Sequence, residues 1–327
     1  MKGEPDADRP DRPDASLLEA AATTLQELLD LDDAPHWRVL RRDVRKRSTL
    51  FRLAAAHRVG TTHAWAKVDA PSASSAEREQ IARRVARFRD SLAFEEQVSP
   101  LLALELGARD VSFDRPLAID IERLSAVRLE VPGRQLGRVF SQVFPGRRHA
   151  GLDTLSQLGV AVRRVEAVSE SFGASFDRAQ LQGRVDAELE LAERSLDTDM
   201  HQRVSNHARE LVAGIDLSGS AVRAHGDLSP TNVLVDSGRL GLMDFSWRRY
   251  LAGESVAHLV ARLSVEPRTP AGWKRSAVAA VLQGYRCETV DSWRLAYLLR
   301  LLRWSSKSSA ARRDWALQEL IMLVADG

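Results

Sequence analysis

The residues best suited to chemistry lie in one stretch, HGDLSPTNVLVDSGRLGLMDFSW, residues 225–247. Asp227 and Asn232 stand five residues apart across a loop containing Pro230, and Asp244 follows the second of two apolar runs, NVLV and LGLM. Two short apolar runs joined at Gly238 predict a hairpin, which would bring the three polar residues together. Phosphoryl transfer needs an aligned acceptor hydroxyl and compensation for the charge on phosphate oxygens. Asp227 can orient the hydroxyl and receive its proton, while Asn232 and Asp244 offer an amide oxygen and a carboxylate to Mg²⁺, which takes oxygen ligands and keeps waters. His225 can orient the loop by a side-chain hydrogen bond, and Gly226 permits unusual backbone geometry next to Asp227. An Asp followed by an Asn is by itself more often a capped turn. The complete set, not any one member, points to catalysis.

HGDLSPTNVLV and the following GLMDF resemble the aminoglycoside phosphotransferase-like branch of the protein kinase-like superfamily. The resemblance extends over about residues 35–325, with residues 225–245 carrying it most strongly. It implies an α+β, two-lobed protein kinase-like fold, with a small antiparallel-sheet lobe and a larger, mainly helical lobe. It also implies that Asp227 is the catalytic base and that Asn232 and Asp244 bind the metal. The donor would be ATP, with another nucleoside triphosphate as the alternative, and the cation Mg²⁺. The acceptor would be a hydroxyl of a small molecule such as a sugar, an amino alcohol or an aminoglycoside-like metabolite.

Lys67, in HAWAKVDA, occupies a place similar to the family's phosphate lysine, and its apolar flanks favour that role over a solvated lysine on an edge strand. The helix glutamate that pairs with this lysine in the family is assigned to Glu95, with Glu96 as its competitor and Glu79 several turns earlier. Two departures from the family stand out. The nucleotide-covering turn, RRDVRKRSTLFRL, has no glycine; Ser48 or backbone amides could contact phosphate and Arg45, Lys46 and Arg47 attract it, and a merely solvated basic turn explains the run equally well. After DF, Ser246 replaces a common glycine, and HLVARL stands where relatives carry an aspartate-leucine pair, leaving Glu254 as the candidate substitute carboxylate.

The elements that must position these groups follow from the pattern. Residues 1–15 read as a flexible tail, 16–132 as an N-terminal nucleotide-binding lobe and 133–327 as a C-terminal catalytic and acceptor-binding lobe. ASLLEAAATTLQELLDL predicts a short amphipathic helix, and strands are expected near 37–42, 49–57 and 62–69. A helix follows with Ile81, Val85, Phe88 and Leu92 on one face, and Pro100 is expected to end or kink it. Two further strands, separated around Pro116, complete a five-stranded lobe. Beyond residue 135 the pattern is helical, with late helices near 249–263, 272–284, 291–304 and 310–324. Asp197, Asp199 and Glu210 could meet a cationic acceptor, and Trp247, Trp273, Trp293 and Trp304 could form an aromatic wall, but helix surface and core packing are the better explanations of the two sets and none is assigned to the site.

Composition sets the outer bounds. In 327 residues, 47 basic against 45 acidic side chains leave a net charge of +2, too small to steer a polyanion, so no nucleic-acid partner is expected. The RRDVRKR run is the one feature favouring nucleic acid, and a turn near phosphates explains it more simply. A single cysteine, Cys287, excludes an internal disulfide and paired-thiol motifs. The acidic, proline-containing N-terminus and the lack of an eighteen-residue apolar run fit a cytoplasmic protein with no transmembrane partner. The competing reading is a catalytically weak, kinase-like nucleotide-binding or scaffold protein, prompted by the glycine-free turn and the altered DFSW segment.

Overall fold

The structure is a computed structural model that describes residues 12–45, 48–69, 78–107, 111–172, 177–215, 221–266, 269–286 and 290–325. The chain divides into two units, Met1–Leu104 with Phe113–Val131, and Glu105–Ser112 with Pro132–Gly327. In the first, α1 (Ala15–Leu29) begins at Asp14, whose carboxylate accepts the Ser16 N–H at 2.9 Å. There follow β1 (Trp37–Val44), β2 (Ser48–His57), β3 (Gly60–Asp69), the long α2 (Arg78–Gly107), β5 (Pro116–Asp120) and β6 (Ser125–Leu129); β4 (Val111–Phe113), between α2 and β5, has its first two residues in the second unit. Five of the strands form one sheet in the order β1-β2-β3-β6-β5, and β4 joins a different sheet.

Side-chain alternation gives this sheet two unlike faces. Phe51, Leu53, Ala55, Ala64, Ala66 and Val127 form one face, buried against Leu17, Ala21 and Leu25 of α1. Lys67 lies on the other, directly opposite Leu50 on β2 and Ala126 on β6, while Trp65 on the same face lies opposite Arg52 and Arg128.

Two features differ from the sequence expectation. Pro100 does not end α2, which continues to Gly107. Pro100 and Glu96 are both exposed, so the carbonyl that loses its helical partner four residues back can bond to water. The break before Pro116 does separate two strands, β4 and β5, with Pro116 starting β5 where no ladder donor is needed, but a third strand, β6, follows a reversal at residues 121–124, with Leu124 at φ 52°, and it is β6 that completes the five-stranded sheet.

The second unit contains β7 (Arg134–Gln135), α3 (Leu136–Gln142), α4 (Arg148–Glu170), α5 (Arg178–Ala192), α6 (Thr198–Gly214), β8 (Ala221–Ala224), β9 (Val233–Asp236), β10 (Arg239–Leu242), β11 (Arg248–Leu251), α7 (Glu254–Ser264), α8 (Ala271–Tyr285), α9 (Val290–Lys307) and α10 (Ala310–Ala325). Its strands form two small sheets, β4-β10-β9-β7 and β11-β8. The helix expected from residue 249 is therefore replaced at its start by β11, because pairing with β8 satisfies that backbone, and α7 begins only after Gly253 at φ 88°.

Helix α7, ESVAHLVARLS, is buried from Glu254 to Ala261 and at Leu263, polar residues included, and so lies nearly surrounded by other elements. Helices α4 and α8 cross where both carry glycine. A Cβ on Gly159 would lie 2.1 Å from the Val281 carbonyl oxygen, and one on Gly284 would lie 1.9 Å from that of Ser156. Beside this crossing the Glu166 carboxylate is wholly buried, accepting hydrogen bonds from the Tyr285 hydroxyl and, at 3.1 Å, from the Gly253 N–H. Burial pushes its pKa up to about 7, against the pull of those donors.

Gly284→Ala therefore forces two helix backbones apart. We expect a loss of stability at or above the upper end of the roughly 1–3 kcal/mol typical of overpacking, read as a lower denaturation midpoint. Gly183→Ala, inside α5 with nothing within 4 Å of its Cβ, is the control and should instead stabilise slightly, by about 0.5–1 kcal/mol.

Candidate active site

Two pairs of strands build the site. The segment 225–232 connects β8 to β9, and the segment 243–247 connects β10 to β11. Because β9 pairs with β10 and β8 with β11, the two connections must run side by side. Each ladder extends one rung into them: the Met243 N–H donates to the Asn232 carbonyl at 3.0 Å, and the Ser246 N–H to the His225 carbonyl at 2.9 Å. Ser237 and Gly238, at φ 50° and 89°, close the β9–β10 hairpin with the two left-handed residues that a tight turn of this twist requires.

This register brings the predicted trio together. Asp244 directly follows the residue bonded to Asn232 and is exposed, with a left-handed backbone at φ 63° that is uncommon for a residue other than glycine. The Asn232 side chain is buried, and its amide nitrogen donates to the Asp227 carbonyl at 2.9 Å. That bond turns the amide oxygen away from the loop and leaves it available as a ligand. Asp227 itself is 57% exposed, following Gly226 at φ 79°. Among the described residues no group of three or more His, Cys, Asp or Glu side chains is placed to hold a metal ion. Asn232 and Asp244 carry the kinds of oxygen donor that a small, hard cation takes, with its remaining ligands left to phosphate and water.

His225 supports the loop differently from the expectation. Neither ring nitrogen makes a hydrogen bond of good geometry among the described residues, although the backbone at Met243 stands close enough to favour the protonated ring. Its ring stacks on Phe245 at 4.3 Å, and Phe245 stacks on Trp247 at 4.8 Å. Burial lowers the His225 pKa to about 4, partly offset by Asp244, so the imidazole is neutral at physiological pH.

Sequence reasoning missed two residues here. His258, in the middle of α7, places Nδ1 3.9 Å from Asp227 Oδ1, while Arg262 one turn later donates from Nε to His258 Nε2 at 3.2 Å. Burial, followed by the charges of Arg300 and Arg262, lowers the His258 pKa to about 2. A guanidinium can only donate, so Nε2 must accept and the single ring proton sits on Nδ1, facing Asp227. The signal was a His and an Arg four residues apart in the otherwise apolar HLVARL. Glu254, the expected substitute carboxylate, is buried but bound to Arg184 and, at 3.3 Å, to the Leu251 N–H.

In the first unit, Lys67 Nζ lies 5.9 Å from the centre of the Phe88 ring. Glu95 is buried on α2, and both of its oxygens accept from Arg128, at 2.8 and 2.6 Å. Arg128 lies diagonally across the β3–β6 ladder from Lys67 on the same face, so Glu95 reaches the lysine's face of the sheet, with Arg128 as its bidentate partner. Glu96 is exposed, and Lys46 and Arg47 lie outside the described residues. The acids considered for a cationic acceptor have local roles or positions: Asp197 caps α6 through the Met200 N–H, Asp199 pairs with Arg203, and Glu210 is exposed. Trp247, Trp273 and Trp304 are core residues.

No family model and no curated protein matches the chain. Solved structures do match over nearly its whole length. The aminoglycoside phosphotransferase APH(4)-Ia is 14% identical with a TM-score of 0.54, over 94% of this chain and 99% of that one. The GDP complex of aminoglycoside 2'-phosphotransferase-IIIa is 13% identical, with a TM-score of 0.52 over 93% and 97%. This chain has the aminoglycoside phosphotransferase-like variant of the protein kinase fold. A putative fructosamine-3-kinase from Thermobifida fusca shares it at 17% identity and a TM-score of 0.50, over 94% and 98%. In this kinase-like fold the two-lobed α+β expectation is met.

Two stability tests follow. Removing one partner of the buried Glu95–Arg128 pair strands a charge, so Arg128→Met should cost about 3–5 kcal/mol, and adding Glu95→Leu should recover much of that loss; chemical denaturation of both variants measures it. For His225, the unfolded chain binds a proton near pH 6.5 that the folded chain takes only near 4, so the associated stability is complete above 6.5 and is lost as pH falls. Glu166 works in the opposite sense between about 4.5 and 7. The informative quantity is therefore the difference between the wild type and His225→Phe, which should lose stability less steeply on acidification, by at most about 1.4 kcal/mol per pH unit.

Proposed function

We propose that this protein transfers the γ-phosphoryl group of a nucleoside triphosphate to a hydroxyl of a small molecule. The observation that carries this reading is the hairpin register that sets Asp244 beside Asn232 while the Asn232 amide holds the Asp227 carbonyl. Asp227 is the base: its exposed carboxylate accepts a hydrogen bond from the acceptor hydroxyl and takes the proton as the oxygen attacks phosphorus. His258 presents an N–H toward that carboxylate and, being neutral, leaves its negative charge undiminished. Asn232 and Asp244 hold Mg²⁺, which would screen the charge on the donor phosphates. Within the first unit, Lys67 is the residue we assign to the nucleotide phosphates, and Glu95 contributes through Arg128, which it fixes on the lysine's face of the sheet.

We assign ATP as the donor and a cytoplasmic location. The GDP bound by one structural neighbour makes GTP the competing donor. Among the described residues no helix is long and apolar enough to cross a membrane.

The test is transfer of labelled γ-phosphate from ATP or GTP, with Mg²⁺, to a broad panel of hydroxylated metabolites. Asp227→Asn should reduce turnover by about 10²–10⁴-fold with nucleotide affinity nearly unchanged. Asp244→Ala should raise the Mg²⁺ concentration needed for half-maximal rate. Nucleotide binding without phosphorylated product from any acceptor would instead establish the kinase-like binding protein.

A further inference from the structure

We infer that the acceptor carries a negative charge, and that Arg262 and Arg312 bind it over Trp304 beside Asp227. This rests on the phosphotransferase reading and names its substrate class. Trp304, on α9, is 5% exposed, and two guanidinium groups from different helices approach its ring. Arg262 of α7 lies 5.2 Å and Arg312 of α10 5.7 Å from the ring centre.

Two like charges gathered on one aromatic ring repel each other, and their surroundings do not neutralise them. Among the described residues, Asp227 is the one carboxylate acting on Arg262, against the positive charges of Arg312 and Arg300. Burial and those two arginines lower the Arg262 pKa, and Asp227 offsets them only in part. Arg303, also in the field of His258, already pairs with Glu188 at 3.7 Å.

Arg262 is also oriented for binding. Its Nε is committed to His258, whereas its two terminal nitrogens make no hydrogen bond to protein among the described residues. A half-buried guanidinium held by one nitrogen, with its remaining donors free, can make the bidentate contact that suits a carboxylate, phosphate or sulfate ester. The chain Asp227–His258–Arg262 then ties the group that receives the hydroxyl proton to the group that would recognise the anion. An acceptor with a hydroxyl at one end and an acidic group at the other would span the two.

The experiment measures binding of matched compounds by calorimetry at constant ionic strength, with AMP-PNP and Mg²⁺ saturating: gluconate and glucose 6-phosphate as anions, glucose as the neutral form and glucosamine as the cation. We expect the anions to bind at least about tenfold tighter than glucose and glucosamine to bind weakest. Arg312→Gln should remove about a tenfold share of the anion affinity, as expected for a charge-assisted hydrogen bond, and leave glucose unchanged. Arg312→Lys, which keeps the charge, should retain most of it. Equal or tighter binding of glucose or glucosamine, or anion binding indifferent to Arg312→Gln, would overturn the inference. Loss of anion binding when AMP-PNP is present would overturn it too, by assigning the arginines to the donor phosphates. Its failure is separable from that of the activity: anions that bind but are never phosphorylated would refute the phosphotransferase alone, and phosphorylation confined to neutral or cationic acceptors would refute the anionic acceptor alone.

Discussion

Two short antiparallel pairings set everything at the site. The pairing of β8 with β11 and of β9 with β10 leaves the chain no choice but to lay its two connecting segments alongside each other, and a backbone bond at each end fixes their offset. A one-residue slip in either ladder would turn Asn232 or Asp244 to the opposite side, because strand side chains alternate. Buried Val233, Leu240 and Leu242 oppose such a slip, so the apolar residues between the polar ones do as much for the chemistry as the polar ones themselves.

The helices supply the electrostatics. Helix α7 is buried nearly all round, yet it carries a histidine whose Nδ1 lies 3.9 Å from the Asp227 carboxylate, and burial keeps that histidine uncharged. A neutral donor can hold a carboxylate without cancelling its charge, whereas a cation at the same place would weaken it as a base. His225 is kept neutral by the same cause but acts through stacking. Arg262 decides which nitrogen of His258 holds the proton, so a charged side chain one helical turn away sets the tautomer that faces Asp227.

Much of the layout was legible in the sequence. Alternating apolar runs gave the first three strands nearly to their ends, the 3.6-residue period gave most of the helices, and the spacing of Asp227, Asn232 and Asp244 indicated a hairpin site. The errors have physical causes. Pro100 looks like a helix terminator when only the lost hydrogen bond is considered, but an exposed carbonyl can bond to water. Residues 248–251 look like a helix start until β8 is available as a strand partner. What no local pattern shows is the partner of a buried carboxylate: an arginine distant in sequence takes up each one, Arg184 for Glu254 and Arg128 for Glu95.

The sequence by itself determined which residues could do chemistry and the hairpin that joins Asn232 to Asp244, because both depend on contacts only a few residues apart. Tertiary structure alone decided the partners of those residues. His258 reaches Asp227 from another element, Arg262 and Arg312 meet at one tryptophan from two different helices, and Glu95 meets Arg128 across a helix and a sheet. Local spacing cannot encode such meetings, because the packing of buried faces brings them about, and it is burial that then sets the charge each group carries.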